Sequence, residues 1–136
     1  MVPIPRSLEL LSKITNEGIP NKNVEDVTKM VVVFGSAAKY NFEKGKFNDV
    51  DIAVIFKNDV TPEEIKLAQD YFKKKHSLNL NSLVKGYGPS IKIQYGPSLG
   101  DPVGGYHSFY CKENELGIKD KQGVPFIQNH ITLFEN

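Results

Sequence analysis

Met30-Val31-Val32-Val33-Phe34-Gly35-Ser36 leads, after a twelve-residue spacer, to Asp49-Val50-Asp51-Ile52-Ala53-Val54-Ile55-Phe56, and these two runs decide the fold. The first is a continuous, β-branched apolar run of the kind that fills a strand buried on both faces. It predicts a strand over Thr28 to Phe34 that Gly35-Ser36 ends. The second predicts a strand over Asp49 to Phe56, with Val50, Ile52, Val54 and Phe56 alternating against Asp49, Asp51, Ala53 and Ile55. Ala37 to Asn48 links them; its start has helical character, whereas Tyr40-Asn41-Phe42 and Gly45 make its later half read as a mobile loop.

Outward from this pair, Thr61-Pro62-Glu63-Glu64 is a capping box with proline at the first helical position. It predicts a helix to about Lys75, with Ile65, Ala68 and Phe72 inward and Lys73-Lys74-Lys75 near the negative end of its dipole. Upstream, Leu8, Leu11 and Ile14 predict a helix over Ser7 to Glu17, opened by Ser7 and closed by Gly18. Ile19 to Asp26 is polar, holds Pro20 and reads as a connector. Beyond His76, Leu83 to Lys85 and Ile91 to Tyr95 read as short strands. They are punctuated by the repeated corners Tyr87-Gly88-Pro89-Ser90 and Tyr95-Gly96-Pro97-Ser98. Gly104 to Cys111 and Val124 to Phe134 add strand content and loops.

The chain has 136 residues, the size of one domain. The expected division is a single domain over 1–136, with a motif-bearing core over about 7–95 and a C-terminal extension over about 96–136. Seventeen basic residues face sixteen acidic ones, so global charge gives no argument for nucleic-acid or membrane binding. The apolar runs are too short to span a bilayer. One cysteine, Cys111, excludes an internal disulfide framework, and the start lacks a signal-peptide layout. Both point to a reducing, cytoplasmic setting.

The chemistry gathers at the two runs. Residues i and i+2 of a strand face the same way, so Asp49 and Asp51 present two carboxylates together. Adjacent carboxylates repel, and a divalent cation keeps both ionised. Mg²⁺ takes oxygen ligands and commonly joins carboxylates to substrate phosphates. Gly35 lets backbone approach a phosphate, and Ser36 has a hydroxyl to donate to it. In the Asp-x-Asp of many sugar-nucleotide glycosyltransferases the apolar strand precedes the acids, whereas here it follows them. An EF-hand needs further ligands and a glycine at the sixth loop position, which are absent here.

The succession of apolar strand, Gly35-Ser36, spacer and Asp49-x-Asp51 resembles the polymerase-beta-like nucleotidyltransferase superfamily, in its small minimal form, over roughly Ser7 to Lys75. The resemblance implies an α/β (α+β) domain: a small mixed β-sheet with helices packed mainly on one face and the two aspartates at the sheet edge beside Gly35-Ser36. It also implies a Mg²⁺-dependent (or Mn²⁺-dependent) transfer of a nucleoside monophosphate from an NTP to a hydroxyl of a protein, a nucleic acid or a small molecule. Asp49 and Asp51 would be catalytic and hold metal, while Gly35 and Ser36 would hold phosphate.

The pattern departs from the family in three places. Members that transfer nucleotides usually carry a third carboxylate on a later strand, and the segment best placed for it, Ser90 to Tyr95, has Lys92 and Gln94. A basic residue and glycine often follow Gly-Ser, where this chain has Ala37, Ala38 and Lys39, and Asn48 replaces a frequent serine. The rival reading is therefore a non-catalytic interaction or regulatory module of the same fold, an antitoxin-like or phage protein. Lys39, Lys44 and Lys46, and the Lys73 to Lys75 run, read as solvated rather than as a nucleic-acid patch. His76, His107 and His130 are scattered without metal-ligand spacing, and His107, among aromatic neighbours, reads as packing beside a sheet. The extension has three open uses: covering the cleft, adding strands or forming a homodimer.

Overall fold

In the computed structural model, residues 17–35, 49–76, 78–83, 105–117, 127 and 130–136 are described, and the statements below concern them. The two decisive runs form strands with the expected bounds, β1 (Thr28–Phe34) and β2 (Asp49–Phe56). They pair antiparallel, with Val32 opposite Ala53, Val33 opposite Ile52 and Phe34 opposite Asp51. Val31, Val32, Val33 and the run Ile52 to Phe56 are fully buried, which explains why neither strand carries a polar stripe through its middle.

The capping box opens the long helix as expected. Thr61 Oγ1 accepts from the Glu64 N–H at 3.2 Å, and the Thr61 N–H donates to Glu64 Oε1 at 2.9 Å. The helix runs over Pro62–His76, buries Ala68 and Phe72, and leaves Lys73, Lys74 and Lys75 exposed. Replacing the cap by Thr61→Ala leaves a helix N–H without its partner. It is expected to destabilise the protein by about 1 kcal/mol, read as a lower urea midpoint at unchanged slope.

Between Gly18 and β1 the chain is not a plain connector. Lys22–Val27 is a short helix, here α1, and the long helix over Pro62–His76 is α2. Asn21 caps α1 by accepting from the N–H groups of Asn23 and Val24, at 3.1 and 3.2 Å. Val24 is fully buried and Val27 packs against the same core, so two apolar residues and one cap hold an otherwise polar helix. Thr28 Oγ1 then donates to the Val24 carbonyl at 2.7 Å as the chain turns into β1. The expected helix over Ser7 to Glu17 lies outside the described residues apart from Glu17, which is helical, and Gly18 follows with φ +67°, the left-handed conformation of a helix stop.

Three further strands complete a five-stranded mixed sheet: β3 (Asn81–Ser82), β4 (Gly105–Lys112) and β5 (His130–Glu135). The order is β3-β4-β2-β1-β5, with β3 parallel to β4, β4 parallel to β2, and β5 antiparallel to β1. The strand content expected within Gly104 to Cys111 and Val124 to Phe134 is present as β4 and β5; of residues 124–129 only Ile127 is described. The chain expected to be strand from Leu83 instead pairs at Asn81–Ser82, Leu83 itself lying in a bend; residues 84–85, the Ile91 to Tyr95 strand and both Gly-Pro corners lie outside the described residues.

Two apolar layers cover the sheet. On one face Val24 of α1 and Ala68 and Phe72 of α2 meet Val31, Val33, Ile52, Val54 and Phe56. On the other, Val32, Phe34, Ala53, Ile55, Phe109 and Cys111 join Leu83, with Met30, Leu116 and Ile127 packed against them. Both described helices therefore pack on one face. The opposite face carries Asp51, by the alternation that also places Ala53 and Ile55 there.

Candidate active site at the start of the central strand

Asp51 stands near the beginning of β2, flanked across the sheet by Phe34 of β1 and His107 of β4. The aspartates are thus not at a sheet edge, as expected, but at one end of a strand with neighbours on both sides. This follows from β4, which reaches the sheet from far along the chain and pairs with the free side of β2. On the same face, the rings of Phe34 and Phe109 meet at 6.0 Å between centroids, and Asp51 is half-buried.

Gly35 closes β1 with φ +71°, a conformation that residues with a Cβ rarely adopt. A Cβ built there overlaps the Asp51 Oδ2 atom and lies 3.4 Å from its Cγ. Glycine is therefore required twice at this position, by the backbone turn and by the carboxylate packed against it. The turn that ends β1 and Asp51 near the start of β2 therefore stand side by side.

Of the other residues expected here, Asp49 lies in β2 two positions before Asp51 and is paired with Gly105. Ser36 and Lys39, Lys44 and Lys46 lie outside the described residues, as do Lys92 and Gln94, where a third carboxylate was sought. On the described strand beside β2, the residues opposite the two aspartates are Gly105 and His107. Sequence reading put His107 beside a sheet. It lies within the sheet, and the apolar residues Phe109 and Cys111 at the next alternate positions explain its face. Nothing in the sequence could identify its neighbour, because the pairing of β4 with β2 is a tertiary fact.

The surroundings limit the chemistry. The Cys111 thiol, buried on the same face, is pushed up to about 12, first by burial and then by the Glu115 carboxylate, so it stays protonated and is no nucleophile at neutral pH. Among the described residues, no group of three or more His, Cys, Asp or Glu stands close enough to hold a metal ion, and no helix is long and apolar enough to cross a membrane. At the start of β2 the described side chains supply two potential donors, Asp51 and His107. Oxygen and nitrogen are donor types that divalent cations take, and Gly35 puts no Cβ against the carboxylate.

Comparison with known proteins agrees with this architecture. The family model described as a nucleotidyltransferase domain matches residues 17–89, more than half of the chain, and spans β1, the Gly35 turn, β2 and α2. No curated protein and no solved structure matches the chain.

Proposed function

The chain belongs to the nucleotidyltransferase domain family, and from that premise we propose a divalent-cation-dependent transfer of a nucleoside monophosphate from an NTP to a hydroxyl acceptor. The observation that carries this reading is the contact between Gly35 and Asp51. A backbone free of a Cβ is held against a carboxylate at the mouth of the sheet. Asp49 and Asp51, alternate positions of one strand, would hold Mg²⁺ or Mn²⁺, and the Gly35-Ser36 turn would hold phosphate. Bound there, the cation supplies charge neutralisation at the phosphates and a lowered pKa for a coordinated hydroxyl. The rest falls to the chain itself. Gly35 keeps the approach open, and the Asp51 backbone is held between β1 and β4.

The domain is proposed to be a single unit over 1–136, working in the cytoplasm; the acceptor is a protein, a nucleic acid or a small molecule. A second reading, a non-catalytic interaction module of the same fold, is favoured by one observation. The strand beside β2 sets Gly105 and His107, not a carboxylate, opposite the aspartates. Titration with a non-hydrolysable NTP, with and without Mg²⁺ or Mn²⁺, tests the first reading. Metal-dependent binding that falls at least tenfold in both Asp49→Ala and Asp51→Ala is expected. Wild-type binding by both variants, or no metal-dependent binding at all, sinks the enzyme and leaves the module.

A further inference from the structure

We propose that His107 is a nitrogen donor to the cation held at Asp49 and Asp51, and that it makes the site select Mn²⁺ over Mg²⁺. The proposal rests on the reading of that site as a metal site and adds a ligand to it. Its basis is the parallel pairing of β2 with β4, in which Asp51 and His107 are register partners and Asp49 faces Gly105. Neighbouring strands lie about 4.8 Å apart, so a carboxylate and an imidazole at partnered positions on one face are within the span of a single coordinated ion. His107 and Asp51 are both half-buried, on the face that also carries Phe109, Cys111, Ala53 and Ile55. Asp49 is paired with Gly105, a residue without a side chain.

The donor chemistry then decides the ion. Mg²⁺ demands oxygen ligands in near-ideal octahedral geometry and gives up water reluctantly. Imidazole suits first-row transition ions, whereas carboxylates and phosphates suit Mn²⁺ as well as Mg²⁺. A set of carboxylate oxygens, phosphate oxygens and one imidazole nitrogen is therefore matched by Mn²⁺, which accepts both donor types. A histidine kept only for packing would have no such consequence.

The test is metal binding by the full chain without turnover. Wild type is expected to bind Mn²⁺ at least tenfold more tightly than Mg²⁺, with a ¹⁴N coupling from a directly bound imidazole in the pulsed EPR of the Mn²⁺ complex. His107→Ala and the more conservative His107→Gln, checked for wild-type melting, should lose that coupling, bind Mn²⁺ about tenfold more weakly and change little towards Mg²⁺. Asp51→Asn should weaken both metals. If Asp51→Asn loses metal while the wild-type complex shows no ¹⁴N coupling, or His107 variants keep the Mn²⁺ preference, the histidine assignment is wrong and the metal site stands. If wild type binds neither metal, both fall. The wild-type spectrum is decisive even if the variants do not fold.

Discussion

Gly35→Ala is expected to destabilise the protein by about 1–2 kcal/mol through the backbone alone and to remove metal-dependent nucleotide binding. The first effect arises because φ is +71° at Gly35, where a Cβ is crowded against the following carbonyl. The second arises because the new methyl overlaps Asp51 Oδ2, so the carboxylate must rotate or the turn must open. Gly18→Ala separates the two effects. Gly18 has a similar φ of +67°, but among the described residues its Cβ would meet only the Phe134 ring at 3.7 Å, an ordinary contact. Gly18→Ala should show the backbone loss alone in urea denaturation and Gly35→Ala at least that loss, and only Gly35→Ala should lose nucleotide. Equal binding by Gly35→Ala and wild type would show that Asp51 does not need its present position.

That contrast also marks what the sequence could reveal. The bounds of β1 and β2 were legible because a β-branched run and a strict alternation are local signals, and the helix after Thr61 because its cap is written in four residues. The short helix α1 was not. It depends on Asn21 as a cap and on Val24 and Val27 against the core, too few positions to set a period that can be read. The site was legible by halves. Gly35 and Asp51 stand in neighbouring antiparallel strands, so their meeting follows from a connection near in sequence. His107 arrives beside Asp51 on a strand whose partner is chosen by tertiary packing. Its alternation with Phe109 and Cys111 gives its face but not its neighbour. The misplacement of the aspartates at a sheet edge has the same origin, since β4 takes the free side of β2.

Phe72→Ala is expected to have the largest effect on stability, a loss of about 3–5 kcal/mol. Phe72 is fully buried on α2, in the layer with Ile52, Val54 and Phe56. Its ring meets Tyr71 edge-on at 5.2 Å and His76 at 5.9 Å, so the truncation removes aromatic contacts as well as volume. Collapse into the space is restricted because β2 is buried on both faces, and moving it towards α2 would open the layer of Ala53, Ile55 and Phe109 behind it. Against a domain stability of about 5–15 kcal/mol, such a loss is read as a large drop in urea midpoint. Leu67→Ala on the same helix gives the comparison: Leu67 is 44 % exposed, and its change should stay within about 0.5 kcal/mol. The functional consequence differs in kind from that of Gly35→Ala. Phe72 lies on the helix-covered face and Asp51 on the other, so the folded fraction of Phe72→Ala should bind metal and nucleotide with wild-type affinity at low temperature. A Phe72→Ala protein that stays folded but loses affinity would mean that α2 sets the position of β2 within the sheet, and that the site depends on the packing behind it as well as on Gly35.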